Sequence, residues 1–148
     1  MAGAVFIRSF FRYPIPGTSI VPLLPDGTIV LIRRRDTGRW ALPGGMVDWR
    51  EDISNTVRRE LAEETGLNLV KIWGLVGVYS SPDRDPRVHS ICVVVAADVR
   101  GEFNIQDKLE ISEVRAFSPD KLPKPDELSY DNGQQLKNYL LEGAIALY

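Results

Sequence analysis

Histidine and cysteine are almost missing from this chain, each occurring once in 148 residues, as His89 and Cys92. A lone thiol forms no internal disulfide, so the fold rests on its core and cytoplasmic residence is expected. An excess of either charge is also missing: 18 basic residues face 20 acidic ones, for a net charge of −2. Binding to a nucleic-acid duplex normally needs a basic patch that displaces counterions, and this balance offers none. No apolar run approaches the ~20 residues of a membrane span, and Met1-Ala2-Gly3-Ala4-Val5 places no charged segment ahead of an apolar one. Neither a membrane anchor nor a secretory leader is therefore expected. Repeats, low-complexity tracts and long linkers are lacking too. What is present, 44% hydrophobic and 26% charged residues, is the make-up of an ordinary globular protein. The length suits one domain, residues 1–148, and is too short for two.

Turn residues cut the chain into short elements. Phe6 to Tyr13 reads as a strand or an arm, ended by Pro14 and Pro16. Ile20 to Leu24, the turn Pro25-Asp26-Gly27 and Thr28 to Arg34 read as a β-hairpin. Pro22 inside its first arm suggests an edge strand or a bulge. Asp36 to Trp40 is a loop. From Glu51 to Thr65 the pattern turns helical, with Ile53, Val57 and Leu61 four apart and Gly66 at the expected helix end. Lys71 to Ser80 and Val88 to Val99 read as strands, the second apolar enough to be buried on both faces. Ser112 to Ser118 is a further short strand. A last helix over Asp131 to Glu142 puts Leu136, Tyr139 and Leu140 on one side. The expected fold class is α/β (α+β), a mixed sheet covered by helices on both faces.

Chemistry concentrates between Gly45 and Leu67. Helical residues advance by about 100°, so Glu60, Glu63 and Glu64 fall within an arc of roughly 100°. That arc adjoins and partly overlaps the apolar stripe of Ile53, Val57 and Leu61, so the carboxylates cannot all sit on a freely solvated face. Crowded anions repel, and Glu60 with Glu64 at i, i+4 weakens a helix. A cation that supplies the missing charge removes the conflict, and oxygen-only donors suit Mg²⁺ or Mn²⁺ better than zinc. The plain alternative is a solvated charged face, which is what most such runs are. Pro43-Gly44-Gly45 ahead of the helix and Gly66 behind it argue against that alternative, because a glycine-rich approach lets backbone come close to a ligand.

The segment runs glycine (Gly45), five residues, Glu51, seven residues, Arg59-Glu60-Leu61, one residue, Glu63-Glu64, one residue, Gly66-Leu67. At every defined position it resembles the Nudix box, and Trp40-Ala41-Leu42-Pro43-Gly44 is similar to the usual lead-in. The resemblance implies a Nudix-type α/β/α sandwich and a Mg²⁺-dependent enzyme, with Mn²⁺ as a substitute, that hydrolyses a diphosphate linkage. It implies Glu60, Glu63 and Glu64 as metal-binding carboxylates, with the Gly45 carbonyl as a further ligand. Arg59 and Glu51 would pair and hold the glutamates in position. Metal ions on a diphosphate would neutralise charge, polarise phosphorus and activate water. The general base is a box glutamate in some branches and a distant loop glutamate in others, and Glu110 and Glu113 fall where such a loop residue would lie. Phe117 stands where the family often has tryptophan.

Ser81-Pro82-Asp83-Arg84-Asp85-Pro86-Arg87-Val88-His89 is similar to a segment of members acting on ADP-ribose and other nucleoside diphosphate sugars, although those often have glycine at the place of Val88. Arg84 and Arg87 could clamp phosphate oxygens, or Asp83 and Asp85 could neutralise them in a self-contained turn. Arg34 and Trp40 are further candidate substrate contacts. Phe11, Tyr13, Trp49 and Tyr79 are, like Trp40, aromatics that could stack on a base or simply pack. His89 either orients the loop or touches substrate, and Cys92 reads as a small buried hydrophobe.

Three functions remain in play. The favoured one is hydrolysis of a nucleoside diphosphate joined to another group, ADP-ribose or a related sugar nucleotide. The second is a nucleoside triphosphate pyrophosphatase, including removal of oxidised nucleotides. The third, a silent binding module, would usually have lost box carboxylates, and here all four and Arg59 are present. No DNA-binding or transferase domain is expected beside the box. The partner is a small nucleotide, and the resemblance admits a homodimer.

Overall fold

A computed structural model describes residues 13–146, so most of the expected arm, residues 6–12 with Phe11, lies outside the described residues. Eight strands and two helices follow in the order β1 (Ile15–Leu23), β2 (Ile29–Arg34), β3 (Trp40–Ala41), β4 (Gly44–Met46), α1 (Ile53–Glu64), β5 (Asn68–Tyr79), β6 (Ser90–Arg100), β7 (Ile111–Phe117), α2 (Asn132–Glu142) and β8 (Ile145–Ala146). The strands form one mixed sheet in the order β3-β2-β1-β6-β5-β8, with β4 paired to β1 and β7 to β2. The β1–β6 pair is parallel, and β2, β4, β5, β7 and β8 pair antiparallel with their neighbours. Among the described residues no helix is long and apolar enough to cross a membrane.

Strand alternation divides the interior into two layers. Val21, Leu31, Val94 and Ala96 pack toward Leu136 of α2, whereas Ile20, Val30, Val95 and Ala97 pack toward Val57 and Leu61 of α1. The sheet is therefore covered on both faces, as the sequence pattern requires, and β6 is buried on both. On α2, Leu136 is buried and the Tyr139 ring meets Trp73 edge-on, while Leu140 stays 47% exposed.

The structure corrects the expectation for Pro22. It lies in β1, between β2 and β6, well inside the sheet. The N–H groups of Ile20 and Leu24 point to the same side and donate to the carbonyls of Pro43 and Thr28. Pro22 falls between them, where β1 has left β4 and meets β2 only at Leu23↔Ile29. Its missing donor costs no ladder bond.

The same divergence of β1 from β2 opens a gap that Trp40 to Met46 crosses, bringing Gly44 and Gly45 against α1. The helix starts at Asp52, whose carboxylate accepts the Asn55 N–H at 2.8 Å. It stops at Gly66, with φ at +79° and a Cβ position only 2.5 Å from the Asn104 backbone nitrogen. Both conditions require glycine there.

Candidate active site

Four carboxylates share one cation at the centre of α1. Arg59 donates through Nε and Nη2 to Glu51 at 2.9 and 2.8 Å, and through Nη1 to Glu60 at 2.9 Å. It also approaches Glu63 at 3.6 Å and Asp48 at 3.5 Å, and donates to the Met46 carbonyl. The Arg59 fork, helped by the Thr56 hydroxyl, holds the Glu51 carboxyl down at about 2. The loop between β4 and α1 is thereby tied to the middle of the helix.

Glu60 and Glu64 are both buried. Burial pushes the Glu60 carboxyl up to about 7 in spite of Arg59, and Glu63 and Glu110 add to the rise. Glu64 is pushed up to about 8, again chiefly by burial; the Gly44 N–H, 2.8 Å from its Oε1, opposes the rise, and Glu60 reinforces it. Gly45 faces Glu60 so closely that a Cβ there would lie 2.3 Å from Oε1. Any larger residue at this position would push the Glu60 carboxylate from its place.

These residues fit a hard divalent cation: the donors are all oxygen, and one guanidinium cannot neutralise the group. Among the described residues no three His, Cys, Asp or Glu side chains stand as a ready-made cage. Arg59 lies among the glutamates and draws Glu60 toward itself.

The other candidates separate clearly. Glu110 acts on both Glu60 and Glu64 through its charge. Glu113 sits on β7 opposite Arg33 and pairs with Arg33 and Arg115. Those two arginines lie over the Trp40 ring, at 5.8 and 4.9 Å from its centroid, while Phe117 meets it edge-on at 5.0 Å. Trp40 is 7% exposed and belongs to the core on the α2 side. Tyr79 packs there too, its hydroxyl accepting from Asn138, whereas Tyr13 and Trp49 are exposed.

Arg84 and Arg87, three residues apart, go different ways. Arg84 is tied inward, donating to the Tyr79 carbonyl, to Ser90 Oγ and to Asp131. Arg87 pairs with Asp85 through Nε and Nη2 and lies 4.5 Å from the Tyr130 ring centroid. Arg34 pairs with Asp36 in the same two-pronged way and lies 5.5 Å from that ring. Its charge also reaches Glu64, which joins this cluster to the carboxylates. His89 bonds the Ser80 carbonyl at 2.9 Å, closing the loop at its base, and Cys92 is a buried thiol against Ser19.

Residues 14–139 match the family model of the NUDIX domain. The chain belongs to the Nudix hydrolase family. It is 43% identical over 139 residues to an ADP-ribose pyrophosphatase of Methanocaldococcus jannaschii, spanning 90% of this chain and 79% of that protein. A MutT NUDIX hydrolase from Burkholderia pseudomallei superposes with a TM-score of 0.73 at 30% identity, over 86% of this chain and 98% of its own. An ADP-ribose pyrophosphatase from Streptococcus suis gives 0.67 at 26% identity, over 87% and 91%. This Nudix chain is accordingly a pyrophosphohydrolase, with the family's mixed sheet between helices.

Sequence reasoning did not single out Tyr130, Asp36 or Asp131. Tyr130 lies outside the Nudix box and outside any periodic run. The link from Arg84 to Asp131 spans 47 residues and leaves no local signature.

Proposed function

We propose that this Nudix hydrolase uses Mg²⁺, with Mn²⁺ as a substitute, to hydrolyse the diphosphate of a nucleoside diphosphate joined to another moiety, ADP-ribose or a related sugar nucleotide. The observation that carries the reading is a cation pair within electrostatic reach of the carboxylates: Arg34 and Arg87 converge on one tyrosine ring, and the charge of Arg34 is felt at buried Glu64. Such a site takes a cation on one side and phosphate oxygens on the other. The ADP-ribose activity of two relatives supports the choice of substrate.

In this reading Glu60, Glu63, Glu64 and the Gly45 carbonyl would hold the metal, which would supply charge neutralisation and an acidified water. Arg59 and Glu51 keep the glutamates oriented. Glu110, whose charge reaches Glu60 and Glu64, accepts the proton of the attacking water, and Glu113 steadies Arg33 and Arg115 over Trp40. Arg34 and Arg87 bind phosphate oxygens, while Arg84 fixes the loop that carries Arg87. Residues 1–148 serve as one domain acting on a small molecule in the cytoplasm, alone or as a homodimer.

Product analysis tests the proposal. Incubation with Mg²⁺ and ADP-ribose should yield AMP and ribose 5-phosphate. Release of inorganic pyrophosphate from nucleoside triphosphates, with sugar nucleotides left intact, would instead establish the triphosphatase reading.

A further inference from the structure

Tyr130 combines three features that the carboxylate cluster does not explain. Its backbone is left-handed at φ +50°, a conformation shared among the described non-glycine residues only with Arg50. Both neighbouring sides are clamped. Ser129, almost fully buried, donates its N–H to the Trp40 carbonyl at 2.8 Å and meets Thr37 Oγ1 at 3.0 Å. Asp131 accepts from Arg84 at 2.9 Å and from Gln135 at 3.1 Å, and Asn132 accepts the Leu42 N–H at 2.7 Å. The strained residue is thus held between anchors on the β2–β3 loop, the β5–β6 loop and the approach to β4.

The third feature is what the ring meets. The Arg87 and Arg34 guanidinium groups lie 4.5 and 5.5 Å from its centroid, although the two cations repel each other. An aromatic face attracts cations and holds planar guanidinium groups in fixed orientation. The Asp36 and Asp85 carboxylates take Nε and Nη2 of their forks. Nη1 of each fork is the nitrogen that neither carboxylate takes.

We propose that Tyr130 is a positioning residue: its strained, clamped ring holds Arg34 and Arg87 together as one recognition subsite for the phosphoryl group of the substrate that lies away from the glutamates. The assignment rests on the diphosphate reading of the preceding subsection. The ring touches the arginines rather than the reacting atoms, so its loss weakens substrate capture and leaves the chemical step intact. The clamping hydrogen bonds are made by Ser129, Asp131 and Asn132 rather than by the Tyr130 side chain, so they survive removal of the ring.

Steady-state kinetics of Tyr130→Phe, Tyr130→Leu and Tyr130→Gly, on the full chain with Mg²⁺ and ADP-ribose, test this. Phenylalanine retains the ring face and should match the parent. Leucine keeps bulk without a π face, and glycine accepts the left-handed backbone without a side chain. Each of the two should raise KM about tenfold while kcat stays within about a factor of three. Thermal melting run in parallel identifies any variant that fails through folding, and the glycine variant carries the reading if leucine melts early. An unchanged KM in the folded leucine or glycine variant, a loss confined to kcat, or an equal loss with phenylalanine would overturn the assignment. If the parent ignores ADP-ribose and other sugar nucleotides, the substrate reading fails by itself. The same variants are then compared on whichever nucleotide the parent hydrolyses, and an unchanged KM there overturns the Tyr130 assignment.

Discussion

Charge rather than shape is at stake in the glutamates of α1. Glu63→Gln and Glu64→Gln retain side-chain volume but lose an anion, so turnover should fall by about two orders of magnitude or more while melting stays near that of the parent. Near-parental turnover in both variants would remove the metal assignment. The two loop arginines give a contrasting pair. Arg84→Ala leaves Asp131, with only 18% of its side chain exposed, without its cation. It should lower stability by about 2 kcal/mol in a denaturant titration. Arg87→Ala likewise leaves Asp85, with only 9% of its side chain exposed, without its cation, so it should cost stability too. It should in addition raise KM for the diphosphate; an unchanged KM in Arg87→Ala would reject the role given to it. The sequence could not separate the pair, because both stand in one short loop and the difference is made by Asp131 far along the chain. The crowding of the three helical glutamates was legible because a helix converts spacing into direction, whereas Gly45, Glu51 and Arg59 entered through the resemblance to the Nudix box. Tyr130 was not, since a left-handed φ at a non-glycine residue is imposed by its surroundings.

At the level of elements, boundaries followed the local chemistry where the chemistry was local. The Asp52 cap and the Gly66 stop both act within one turn of α1, and the helix lies where the pattern put it. Gly66→Ala should cost about 2–3 kcal/mol, since alanine resists φ +79° and its Cβ would strike the Asn104 backbone. A loss below 0.5 kcal/mol in a chemical melt (roughly the background for a surface change) would show that this turn relaxes freely. Pro22 was misread because the rule about proline in sheets concerns its missing donor, and whether a donor is needed depends on which strand lies alongside. That partner arrives only with the divergence of β1 and β2, a tertiary event that leaves no mark near Pro22.

For the whole molecule, the buried carboxyls link folding to acidity and, on the proposed reading, to metal. Burial pushes the Glu60 and Glu64 carboxyls up to about 7 and about 8, from an ordinary 4.5. Raised values mean that the fold favours the protonated forms. The stability they contribute is full below about pH 4.5 and is lost as pH climbs through 7 and 8. The metal-free protein should therefore melt at progressively lower temperature between about pH 5 and pH 9. Added Mg²⁺ should restore the midpoint most strongly at the alkaline end, where the ligands are ionised. A flat midpoint without metal, or a metal effect that grows toward acid pH, would contradict the burial of these groups. Treatment with a chelator should abolish hydrolysis and readdition of Mg²⁺ should restore it; full activity in chelator would exclude the mechanism.

The parallel pairing of β1 with β6 joins Thr18 to Val93, with the Thr18 hydroxyl donating to the Val93 carbonyl. On a ribosome, a nascent chain that has emerged only as far as Tyr79 already displays the whole acidic helix. It has no β6 to brace β1, and hence nothing firm behind the glycines that close over Glu60 and Glu64. The ability to grip an ion should thus arrive late in synthesis, once Ser90 to Arg100 is free to lie down beside the first strand.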